Sequence, residues 1–116
     1  MTAFDDAEHE IPPQRAAELV ADERWQVIDV REAYEREAGH IGGTLHIELE
    51  RLAGQAETID RERPVVFYCR MGARSAMATQ AFRAAGYDAY NLSGGITAWE
   101  SAGLALEPPD GRVADH

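Results

Sequence analysis

One short segment carries most of the chemistry this chain offers: Cys69-Arg70-Met71-Gly72-Ala73-Arg74-Ser75. Cys69 follows the apolar run Val65-Val66-Phe67-Tyr68, which reads as a strand covered on both faces. Ser75 reads as a helix N-cap, and Ala76–Ala85 as a helix closed by Gly86. A strand end that turns through a tight loop into a helix N-terminus points several backbone N–H groups inward. Such a nest holds anions. A cysteine held there is favoured as the thiolate, which is the nucleophilic form. A lone cysteine at a strand end is more often a small buried hydrophobe. Apolar packing does not call for two arginines and a glycine within five residues, and that neighbourhood reverses the reading. Cys69 is therefore the expected nucleophile. Arg70, Met71, Gly72, Ala73, Arg74 and Ser75 are the expected substrate-binding loop, with Met71 at its rim.

Other polar residues read differently. Asp29 at a strand end and Arg31 two residues on are expected to pin adjacent loops by charge-assisted hydrogen bonds rather than to react. His40 and His46 are six apart, a poor ligand spacing without further donors, so His40 is expected to be structural and no metal or other cofactor is expected. A single Cys excludes an internal disulfide, a Cys-x-x-Cys pair and any multi-cysteine metal site. It fits a reducing compartment, and a cytoplasmic location is the expectation.

These residues need elements to position them. A chain of 116 residues is the size of one domain. Residues 1–10 are acidic and poor in apolar side chains, and 107–116 contain Pro108, Pro109 and Gly111; both are expected to be flexible tails. The body is then 11–106. Pro12 and Pro13 suit a helix start, with Ala16, Ala17, Leu19 and Val20 behind them. Trp25–Val30 reads as a buried strand, Glu32–Glu37 as a short helix and Thr44–Ile47 as a short strand. Leu49, Leu52, Ala53 and Ala56 carry helical spacing. Asp88–Leu92 reads as a strand, and Ile96–Ala102 as a last helix closed by Gly103. Strands alternating with helices predict an α/β fold, a central and mainly parallel sheet with helices on both faces. In such sheets ligands bind beyond the carboxyl ends of strands, which is where Cys69 falls.

Four motifs in order resemble the rhodanese family of sulfurtransferases: Asp29-Val30-Arg31-Glu32 with Glu35, Gly39-His40-Ile41 with His46-Ile47, the Cys69–Arg74 loop, and Asn91-Leu92-Ser93-Gly94-Gly95-Ile96 with Trp99. The resemblance spans about residues 11–103. One departure is Gly42, where the family usually has proline. The resemblance implies a rhodanese-like fold and a two-step transfer. Cys69 takes sulfur from a donor such as thiosulfate as a persulfide, then yields it to cyanide or a thiol.

Charge sets a condition on that chemistry. With 21 acidic residues against 11 basic, the formal net charge is −10. This argues against nucleic acid and anionic membranes as partners. It also repels a dianionic donor unless the mouth of the site is locally basic, a role expected of Arg70 and Arg74. Two other readings share the cysteine. One is a sulfur carrier that delivers to an accepting protein, and the other is a non-catalytic interaction module. A phosphatase or arsenate reductase is less favoured. Phosphatases of similar design use Cys-x5-Arg, whereas Arg74 comes one residue early.

Overall fold

The computed structural model describes residues 8–116. Among them β1 (Glu10–Ile11), β2 (Gln26–Asp29), β3 (Leu45–His46), β4 (Val65–Tyr68) and β5 (Ala89–Leu92) form one sheet in the order β1-β5-β4-β2-β3. Every pairing in it is parallel. The helices are α1 (Pro13–Val20), α2 (Ala33–Ala38), α3 (Ala73–Ala84) and α4 (Gly95–Ser101). The sheet is buried from both sides, as the unbroken apolar β4 requires. Alternate residues of a strand face opposite ways. Val66 and Tyr68 join Leu19, Ile96 and Trp99 in one core, while Val65, Phe67 and Cys69 join Ala78, Phe82 and Tyr87 in the other. The expected α/β architecture is thus the observed one, and Cys69 points to the α3 side.

From β2 the chain runs outward to β3, and from β4 it runs the opposite way to β5. The carboxyl ends of β2 and β4, paired through Asp29 and Tyr68, therefore lie at the topological switch point. A crevice opens at such a point, and Cys69 follows directly on β4.

Four details differ from the sequence reading. First, α3 starts at Ala73, not after Ser75, because Gly72 adopts a left-handed φ of +106° and turns the chain there. Second, the Leu49–Ala56 stretch forms two 3-10 turns, Leu49–Arg51 and Ala53–Thr58, where Gly54 weakens a regular helix. Third, Glu10 belongs to β1, which is too short to show a period; residues 1–7 of the expected N-terminal tail lie outside the described residues. Fourth, residues 107–116, expected to form a flexible tail, lie along the domain. His40 and Glu107 exchange backbone hydrogen bonds of 2.9 and 2.8 Å, Arg112 N–H donates to Ala38 O at 2.8 Å, and Ala114 is buried. The segment docks mainly through backbone groups, which a hydrophobicity pattern does not register. No described helix is long and apolar enough to cross a membrane.

Candidate active site

Cys69 Sγ is buried and accepts from the Gly72 N–H at 3.1 Å, the Ser75 hydroxyl at 3.3 Å and the Ser75 N–H at 3.5 Å. Ser75 is thus not a cap. Both its backbone and its side chain face the sulfur. The loop carbonyls are held elsewhere. Ile96 N–H donates to Cys69 O at 2.9 Å and Thr97 N–H to Arg70 O at 3.0 Å, both from α4. Asn91 Nδ2 donates to Gly72 O at 3.2 Å. With its carbonyls tied back, the loop presents donors to the thiol. Gly95 makes this docking possible, since a Cβ there would lie 2.4 Å from Arg70 O. The Gly94-Gly95 pair is therefore part of the site, although it contacts no reacting atom.

Arg74 and Glu35 form a second layer. Arg74 donates from Nη1 and Nη2 to the two Glu35 oxygens, each at 2.9 Å. Glu35 also accepts from Glu32 N–H at 3.0 Å, closing a capping box at the start of α2. Burial works against ionisation of Glu35, but the Arg74 bonds and the Glu32 N–H outweigh it and hold the carboxyl below its ordinary range. Those same bonds raise the Arg74 guanidinium above its ordinary value against the cost of burial, and the nearby Cys69 adds to the effect.

A group whose pKa is lowered by folding stabilises the fold above its unfolded value and loses that contribution as pH falls. Glu35→Gln is therefore expected to cost about 1.5–3 kcal/mol at pH 7. The gap between wild type and variant, read from urea unfolding at a series of pH values, should begin to narrow as pH falls below the ordinary 4.5. It should close once pH has passed the folded-state value. A gap independent of pH would show that the loss comes from the amide donor facing Arg74, not from the missing charge.

Above the thiol lies a cavity of about 220 Å³ lined by Cys69, Arg70, Met71, Ala73, Arg74 and His116. Met71 is exposed at its rim. Arg70 Nη2 reaches the Asp115 carboxylate at 3.2 Å. His116 Nε2 meets Glu32 Oε2 at 3.0 Å. Glu32, Glu35 and His116 bring one ligand atom each within 4.8 Å of one another, but both Glu35 oxygens are already committed to Arg74.

A family model of the rhodanese-like domain matches residues 12–102. The chain belongs to the rhodanese-like family. It is 34% identical over 105 residues to a sulfurtransferase of Allochromatium vinosum, which covers 89% of this chain and 98% of that one. It is 30% identical over 99 residues to the thiosulfate sulfurtransferase GlpE of Actinobacillus pleuropneumoniae, covering 84% and 92%. In three dimensions it is similar to a rhodanese-related protein from Thermoplasma volcanium, with a TM-score of 0.78 and 26% identity over 84% of this chain and 96% of that one.

In this rhodanese-like domain the remaining sequence candidates are braces. Arg31 donates from Nε and Nη2 to the Asp29 carboxylate, both at 2.9 Å, and from Nη2 to Gly39 O at 2.8 Å. His40 Nδ1 lies 3.2 Å from Arg36 O, and its backbone anchors Glu107. Asp115 and His116 were not foreseen, because nothing in a polar terminal stretch signals a return to the site. Glu35 was visible only as a member of the first motif, without its partner.

Proposed function

We propose that this domain transfers sulfane sulfur from a small anionic donor such as thiosulfate to cyanide or a thiol, through a persulfide on Cys69. The observation that carries the proposal is the set of donors from Gly72 and Ser75 around Sγ beneath an open cavity. In the first step the Cys69 thiolate attacks the outer sulfur of thiosulfate. The Sγ–S bond forms as the donor's S–S bond breaks, and sulfite leaves with the electron pair. In the second, cyanide attacks the terminal sulfur, thiocyanate departs and the thiolate is restored. Both enzyme forms are anions, so the same donors serve both, as preorganised hydrogen bonds do best. The thiosulfate sulfurtransferase named among the relatives supports this choice of donor.

Incubation with thiosulfate is expected to raise the intact mass by one sulfur atom, about 32 Da, with cyanide reversing the gain. A wild-type protein that gains no mass from any sulfane donor would overturn the proposal. The bidentate Arg74–Glu35 pair counts against a phosphatase, whose arginine must be free to grip phosphate. Exposure of Met71 beside the cavity favours one second reading, delivery to an accepting protein. A mass gain with slow cyanide turnover is the result that reading expects.

A further inference from the structure

The two arginines of the loop do not form the free basic mouth that their charges suggest. Arg74 is held by buried Glu35 on a bidentate fork. Arg70 is held by Asp115, by one contact of 3.2 Å to a carboxylate that is 96% exposed. Arg70 Nε is buried and has no hydrogen-bond partner among the described residues. The two ion pairs therefore differ in kind. The Arg74 pair is built in, and the Arg70 pair is readily displaced, since an exposed ion pair contributes little.

Asp115 does not reach Arg70 by chance fraying of a terminus. The segment that carries it is seated by the Glu107–His40 and Arg112–Ala38 backbone bonds and by buried Ala114. Tyr34 Oη donates to Asp115 O at 3.0 Å. The domain surface is cut to receive it: a Cβ at Gly39 would lie 2.5 Å from Arg112 O, and one at Gly42 would lie 2.7 Å from the Glu107 side chain.

We infer that Asp115 is a specificity-determining residue of the donor site, its carboxylate occupying the Arg70 guanidinium and selecting donors by charge. This rests on the sulfur-transfer reading of Cys69. Arg70, Arg74, Glu32, Glu35 and Asp115 surround the cavity and its rim, and their charges sum to no positive excess. An anionic donor that uses Arg70 must displace Asp115 from it. The attraction of a freed Arg70 acts twice on a dianion such as thiosulfate for each time it acts on a monoanionic thiosulfonate. Asp115 acts through Arg70 and is a positioning residue, not a reacting one.

The test is Asp115→Asn, assayed at low ionic strength with thiosulfate and with methanethiosulfonate as donors and cyanide as acceptor. The thiosulfate KM is expected to fall about two- to five-fold with kcat unchanged, the range that releasing one exposed ion pair allows. The methanethiosulfonate KM should fall less. In an Arg70→Ala background the same substitution should leave the ratio of the two KM values where it was. Equal gains on both donors, no gain on either, or a full gain without Arg70 would overturn the inference. Mass gain on Cys69 separates the two proposals. Wild-type protein that forms the persulfide but shows none of these KM changes in Asp115→Asn loses only the role of Asp115. Protein that never forms the persulfide loses the sulfur-transfer reading itself.

Discussion

Cys69→Ser is expected to reduce thiocyanate formation by about a thousand-fold or more, the scale of losing a covalent nucleophile. A serine hydroxyl is not ionised near neutral pH, and no persulfide analogue forms on oxygen. The fold should survive. Cys69 lies at the end of β4 with its side chain among three donors of Gly72 and Ser75, two of which a hydroxyl oxygen can accept. Those donors stand at 3.1–3.5 Å, set for a sulfur radius, so the serine hydrogen bonds will be long. A stability loss of roughly 1 kcal/mol is the consequence expected from weakened but not orphaned bonds. Three readings check this together: thiocyanate release, intact mass after thiosulfate, and the urea midpoint. Turnover above about 0.1% of wild type in a folded variant would remove Cys69 from the mechanism.

On the proposed mechanism, the same geometry accounts for one sulfur being enough. A persulfide adds a second sulfur about 2.05 Å from Sγ. It extends the anion toward the cavity lined by Arg70, Ala73 and Arg74 while Sγ keeps its contacts with Gly72 and Ser75. No second cysteine is needed to hold the intermediate.

How much of this was legible beforehand depended on the kind of force involved. β2 and β4 were readable because burial on both faces leaves a continuous apolar run. The Cys69–Ser75 loop was readable as a candidate site because cysteine, glycine and two arginines are chemically marked. The start of α3 was misplaced because Ser75 is a good N-cap by type, whereas the chain spends that hydroxyl on Cys69 and lets Gly72 make the turn. The Arg74–Glu35 fork spans 39 residues, and no local pattern states which of many acidic residues an arginine will choose. The seat of residues 107–116 was hidden for a related reason. It is made by backbone bonds to Ala38 and His40, and backbone groups are the same in every sequence.

Asp29→Asn tests the deepest of these pairings and is expected to destabilise the fold by about 3–5 kcal/mol, a large share of the roughly 5–15 kcal/mol that holds a domain together. Asp29 and Arg31 have fully buried side chains. The Asp29 carboxylate accepts from Arg31 Nε, Nη2 and backbone N–H, and from Arg36 Nη1 at 3.3 Å. Asparagine has nearly the same volume but no charge, and its amide donor would face a guanidinium donor. Arg31 would then keep a neutral amide oxygen at Nε and the Gly39 carbonyl at Nη2 but no paired charge, with Nη1 already unpartnered among the described residues. The cost is that of a buried cation without its counter-charge, not of a cavity. Replacing both residues by apolar ones, Asp29→Leu with Arg31→Met, should therefore cost less than Asp29→Asn alone, because no buried charge is left to satisfy. Urea unfolding decides the point through a lower midpoint at unchanged slope. A loss below about 1 kcal/mol in Asp29→Asn would mean that water or the nearby Glu35 carboxylate compensates the guanidinium. A double variant worse than the single one would mean that the pair is needed for the shape of the turn at Gly39. Either result would take from Asp29 and Arg31 the electrostatic role assigned to them at the foot of the active site.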